Sequence, residues 1–190
     1  MVALVVLGAL AAAGCGIPSD GHPRTLSASG VPFNLLAPTT TSVPEQSTDQ
    51  PDLKTADIYV LGQSGRLVPV GRKLAPPVTL SSVLGQLFEG PSVGELAAGF
   101  QSFISTQARL LDAEIVVGVA NIDVSKEFTE VSGNEQILAL AQIVYTATAV
   151  PGVQSVSFSL AGDPKEVPTQ DGTLTTKPLT RTDYARLAER

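Results

Sequence analysis

The chain has 190 residues, 43% hydrophobic and 16% charged, with a formal net charge of −6 at pH 7. That is material for one hydrophobic core plus tails. The acidic balance and the lack of a Lys/Arg cluster exclude nucleic acid and electrostatic adhesion to anionic lipid, since both need clustered cations. One Cys excludes an internal disulfide.

The chain opens MVALVVLGALAAAGC, an uncharged apolar run closed by Cys15. The run is too short to span a bilayer, which takes about 20 helical residues, but it has the length of a signal-peptide apolar region. Ala12-Ala13-Gly14-Cys15 resembles a bacterial lipobox, in which the cysteine sulfur is acylated and becomes the new N-terminus. Two features depart from that pattern: Ala12 stands where Leu is usual, and no Lys or Arg precedes the apolar run. The expectation is a signal peptide over 1–14 and lipid attachment at Cys15, with the membrane as a partner through its acyl chains.

From 15 to 52 the chain is rich in Pro, Ser and Thr without helical period, the composition of a tether that cannot bury enough surface to order itself. Val31-Pro-Phe-Asn-Leu-Leu36 interrupts it with a short apolar patch, open to docking or to a local cluster. His22, the single histidine, falls in the tether. With Cys15 it makes two ligands in unstructured sequence, which argues against a structural zinc site of four fixed ligands.

Asp57–Leu61 and Arg66–Val70 flank Gly62-Gln-Ser-Gly65 and predict a hairpin, with Pro69 demoting the second strand to an edge. Thr79 to Glu89 is the clearest helix: Thr79 is an N-cap type, and Leu80, Val83, Leu84, Leu87 and Phe88 form one apolar stripe. Gly90-Pro91 ends it. Residues 92–105 predict at most a turn of helix and a loop, with Leu96, Phe100, Phe103 and Ile104 covering an end of the core. Arg109–Val117 and Val119–Ser125 predict two antiparallel strands with a tight turn near Gly118. A second helix is expected over 134–149, presenting Ile137, Leu140, Ala141, Val144 and Tyr145. In the strand that follows, Val153 to Leu160, the face of Val156, Phe158 and Leu160 should be buried. The predicted order is β-(β)-α-β-β-α-β. The fold class is α/β (α+β): a two-layer sandwich with both helices on one face of a mixed sheet. The domain is expected over 53–167, with a C-terminal extension over 168–190 that carries a short terminal helix.

Leu87-Phe-Glu-Gly-Pro91, Asn121-Ile-Asp-Val-Ser125 with Phe128, and Ala139 to Thr146 with Pro151-Gly-Val153 together resemble the GerMN domain, a sporulation and spore germination module of bacterial envelope lipoproteins. The resemblance covers about 57–162, and the Thr180-Arg-Thr-Asp-Tyr184 stretch lies outside it. It implies an extracytoplasmic domain whose topology is similar to ring-building modules of envelope assemblies. The Ala/Gly/Val-rich composition resembles that of actinobacterial relatives.

No residue set meets the needs of catalysis, which are a nucleophile with a positioned base, paired carboxylates in a site, or a metal. Asp112 and Glu114 share strand parity, but a solvated strand face explains them better than a hydrolase does. Asp123, Glu127 and Glu130 form no calcium loop. Gly62–Gly65 lacks the Lys and the following helix of a phosphate loop. Tyr145 is expected to pack with its hydroxyl at the surface, and Gln142 to tie its helix to neighbouring backbone. No cofactor is expected. The functional expectation is a non-catalytic interaction module that contacts an envelope protein or its own copies. The alternative is a binder of a cell-wall polymer or small envelope ligand, which would need a groove lined by aromatics.

Overall fold

The computed structural model describes residues 52–189. The expected signal peptide, Cys15, the tether with His22, and the Val31–Leu36 patch lie outside the described residues.

Strand β1 (Lys54–Leu61) pairs antiparallel with β2 (Leu67–Leu74), so that Tyr59 faces Pro69 and Leu61 faces Leu67. The Gly62–Arg66 turn closes on a bond from Gly62 N–H to the Arg66 carbonyl (2.8 Å). Helix α1 (Leu80–Glu89) starts as its sequence predicts. Ser82 N–H donates to Thr79 Oγ1 (3.1 Å) and Thr79 N–H donates to Ser82 Oγ (2.9 Å), which satisfies two otherwise orphaned donors. Leu80, Val83, Leu84 and Leu87 are buried, each side chain contributing roughly 1.5–3 kcal/mol. Gly90 stops the helix at φ 81°, a value a β-carbon would resist.

Helix α2 (Val93–Ala97) is capped by Ser92 and buries none of its residues. Phe100, Phe103 and Ile104 pack on the core as expected, but Leu96 does not: it is 56% exposed. The one-turn helix is instead tied to β2 through its Glu95, whose carboxylate pairs with Arg72 (Arg72 Nη2 to Glu95 Oε2, 2.6 Å).

Strands β3 (Leu110–Val116) and β4 (Val119–Val124) form the second hairpin, turning at Val117-Gly118. A 3-10 turn (Lys126–Glu130) leads into α3 (Asn134–Ala147), and β5 (Ser155–Leu160) follows. Short strands β6 (Asp163–Pro164), β7 (Val167–Pro168) and β8 (Leu174–Thr175) and a 3-10 helix (Arg181–Leu187) complete the described chain. Strands β3-β4-β5-β6 make one mixed sheet in which β4 and β5 run parallel. Alternation buries Ala120, Ile122, Val124, Val156 and Phe158 on one face, against the helices.

The predicted element order holds, and helices pack against strands. The first hairpin, however, is a two-stranded sheet of its own and does not extend the mixed sheet. The reason is chemical. The outward backbone groups of Tyr59 are taken by α3: its N–H donates to Thr146 Oγ1 (2.9 Å), and its carbonyl accepts from Gln142 Nε2 (3.2 Å). Leu61 exchanges two bonds with Gln101 (2.9 and 2.8 Å). Two helix side chains and a loop thus occupy the edge that another strand would have used. Pro69, directly opposite Tyr59, needs no amide there.

Helix α3 also differs from a one-faced amphipathic helix, since Ala139 to Ala147 are all buried. The residues after 167 help to cover it. Leu179 exchanges two backbone bonds with Val156 of β5 (2.8 and 2.7 Å). Tyr184 is 0% exposed and donates its hydroxyl to the Pro168 carbonyl (2.7 Å). The Arg181 guanidinium stacks over the rings of Tyr59 (5.2 Å) and Tyr145 (5.1 Å), a cation–π pairing that holds this segment onto β1 and α3.

Candidate interaction surface

Among the described residues, strand β3 ends the mixed sheet, with β4 on one side and no strand on the other. The two-residue turn sets Val116 and Val119 as a hydrogen-bonded pair, because residues flanking such a turn exchange bonds. Glu114 and Asp112 follow at two-residue intervals and also bond towards β4. The backbone groups of Ala113 and Ile115 therefore face the open edge. Ser81 of α1 verifies that direction, donating its hydroxyl to the Ala113 carbonyl (3.0 Å).

The register places Asp112, Asp123 and Ser159 in one row across the outer sheet face, then Glu114, Asn121 and Ser157, then Val116, Val119 and Ser155. Among the described residues, α1 and α3 do not cover these rows, which lie on the opposite face from Ile122, Val124 and Val156. Asp112 and Glu114 are exposed on this face, as strand parity predicts, and Asp123 joins them from β4. Asp123 is already engaged within the fold, since its Oδ1 accepts from Ser159 Oγ (2.8 Å) and Gly162 N–H (3.0 Å), which fixes the turn into β6. Glu127 and Glu130 lie on the 3-10 turn beyond β4 and do not join these rows. A bond from the Ser125 hydroxyl holds the Glu127 carboxyl below its usual range. Among the described residues, no three His, Cys, Asp or Glu side chains are grouped to hold a metal ion.

The apolar side chains of β3 are unusually open for a strand that reads as buried. Leu111, Ile115 and Val116 are 52%, 42% and 47% exposed, and Val117 at the hairpin tip is 97% exposed. Val117 also has φ 50°, a left-handed conformation that a β-branched residue adopts only under strain. Beside Ala113 and Ile115 lies a cleft of about 430 Å³ that Val78, Leu80, Val150 and Pro151 also line. A second exposed apolar pair, Val93 and Leu96, stands on α2. Sequence patterning missed both patches, since an Ile/Val-rich run reads alike whether or not something covers it. The two-residue turn is the signal that could have marked the tip.

The two helix residues singled out in the sequence are structural. Gln142 is 0% exposed, and besides holding Tyr59 its Oε1 accepts from Phe103 N–H (2.8 Å), so it ties the helix to backbone as expected. Tyr145 departs from expectation: it is buried, and its hydroxyl donates to the Arg181 carbonyl (3.3 Å) beneath the C-terminal segment. Burial chiefly raises its pKa, opposed by the Arg181 charge. Each Tyr and Phe of the described residues packs into or against the core.

A family described as "Germane: Sporulation and spore germination" matches residues 57–166. No curated protein matches the chain. Among solved structures, it is similar to the tandem GerMN domains of the sporulation protein GerM from Bacillus subtilis (TM-score 0.56, 22% identity), covering 69% of this chain but only 45% of that one. It is similar as well to the first GerMN domain of the same protein (TM-score 0.54, 21% identity), covering 68% of this chain and 98% of that one. At these identities the likeness establishes the fold. The domain is of the GerMN type. The chain belongs to the sporulation and spore germination family.

Proposed function

We propose that this chain is an extracytoplasmic lipoprotein, anchored in the cell membrane through acyl chains on Cys15, whose GerMN-type domain is a protein-interaction module in an envelope assembly. The observation that carries the interaction reading is the β3 edge. Outward backbone groups, half-exposed Ile115 and Val116, and the strained, fully open Val117 lie together at one end of the sheet. Exposed edges of this kind invite pairing with another chain unless charge or cover blocks them.

The anchoring reading rests on the lipobox-like Ala12-Ala13-Gly14-Cys15 and the polar tether behind it. Among the described residues, no helix is long and apolar enough to cross a membrane. Each acyl methylene buried in a bilayer contributes about 0.8 kcal/mol, so more than one chain on Cys15 anchors firmly. The partner is an envelope protein or a second copy, as in assemblies of ring-building modules.

Crosslinking in intact cells, followed by recovery of the chain, tests both halves. The wild-type chain should bring down a defined envelope protein or its own multimer, and membrane-extracted chain should carry an acylated N-terminal Cys15 by mass spectrometry. Cys15→Ala should release the chain from the membrane. An intact Met1 in cells that process lipoproteins refutes the anchor; a wild-type chain that crosslinks to nothing refutes the module.

A further inference from the structure

We propose that the open edge of β3 takes an extended segment of another protein in which Lys or Arg alternates with apolar residues; this rests on the interaction-module reading above. A strand laid along β3 would bond to the outward groups of Ala113 and Ile115, of which, among the described residues, only the Ala113 carbonyl is engaged, by the Ser81 hydroxyl. Side chains of the incoming strand alternate between two faces about every 3.4 Å, and the two faces here differ sharply in chemistry.

On the outer face, alternate residues of the added strand come within about 5 Å of Asp112 and Glu114, the separation of directly opposed side chains. Asp123 stands behind Asp112 in the next strand. No Lys or Arg occurs in any of the three rows on this face, so its charge is uniformly negative. A partner with acidic residues there would be repelled, whereas Lys or Arg at two-residue spacing meets one carboxylate after another. On the other face, the intervening residues point past Ile115 into the cleft lined by Val78, Leu80, Val150 and Pro151, which favours apolar side chains. The exposed charges provide choice of partner more than strength, because solvent and salt screen them. The apolar cleft and the backbone bonds hold the strand.

The test uses the full chain in mild detergent and two fluorescein-labelled probes, a heptapeptide of alternating Lys and Val and one of alternating Glu and Val. Anisotropy titration should show the Lys peptide binding at least tenfold more tightly, with the preference shrinking as salt rises. Hydrogen exchange should slow at the amides of Ala113 and Ile115 when it binds. The double variant Asp112→Lys/Glu114→Lys should reverse the preference, a gain of Glu-peptide binding that a misfolded chain cannot produce. Failure of the Lys peptide to bind, equal binding of the two peptides, a preference unmoved by the double variant, or protection confined to other strands overturns the proposal. So does unchanged crosslinking of the double variant to the partner that the wild-type chain captures in cells, a result that leaves the interaction-module reading standing. If the wild-type chain captures nothing, that reading itself falls.

Discussion

Replacing Gln142 with Leu keeps most of the side-chain volume and removes both hydrogen-bonding groups. Phe103 N–H, 2.8 Å from Oε1, and the Tyr59 carbonyl, 3.2 Å from Nε2, then lose their partner at a position that is 0% exposed. Each buried backbone group left without a partner costs about 1–3 kcal/mol. The greater apolar character of Leu offsets part of that, so the expected loss is about 2–4 kcal/mol. Against a typical domain stability of roughly 5–15 kcal/mol, this is a large fraction. The chain has no Trp, so urea unfolding is best followed by far-UV circular dichroism. Thr146→Val, which strands only the Tyr59 N–H, should cost about 1–3 kcal/mol. Gln142→Glu adds a sign test. Burial raises the folded pKa of the new carboxyl above its unfolded value, so the ionised form is penalised at neutral pH. That penalty shrinks as pH falls through the raised folded pKa, and a protonated carboxyl can again donate to Tyr59. A Gln142→Leu variant within about 0.5 kcal/mol of wild type would show that these bonds do not hold the hairpin to α3.

Leu84→Ala should cost about 2–5 kcal/mol in the same urea assay, because a side chain with no exposed surface leaves a cavity. The Arg72 guanidinium, together with Ser92, lowers the Glu95 carboxyl from its ordinary 4.5 to about 2. The stability this pair contributes is therefore present above about pH 4.5 and lost as pH falls towards 2. Glu95→Gln should flatten the acid limb of a plot of urea midpoint against pH, and identical limbs would refute the assignment. Tyr184→Phe, which strands the Pro168 carbonyl, should lower stability by about 1 kcal/mol, whereas Tyr184→Ala should lower it by about 3–5 kcal/mol. Melting temperatures distinguish these two outcomes. Ser157→Ala, on the uncovered sheet face, should stay within about 0.5 kcal/mol of wild type; a larger loss would mean that this face is packed.

Local chemistry determined every long element of this domain from the sequence alone. The helix from Leu80 to Glu89 is written in its Thr79 cap, its five-residue apolar stripe and its Gly90 stop, all of which act within one or two turns. The strand face of Val156 and Phe158 follows from simple alternation, and the carboxylates of Asp112 and Glu114 share a face because strand parity requires it. What the sequence could not decide is which surfaces meet. The β1 edge is closed by Gln142 and Thr146, more than 80 residues further along the chain, and no local pattern tells a buried glutamine that caps a strand from one that faces water. The same holds for α3, whose second side is covered by the 3-10 helix Arg181–Leu187, a segment beyond the family match. It holds for β3 in the opposite sense. Ile115 and Val116 have the composition of a covered strand, yet among the described residues no strand pairs with the outer side of β3. Periodicity records which way each side chain points; only the packing of distant segments decides what, if anything, it points at.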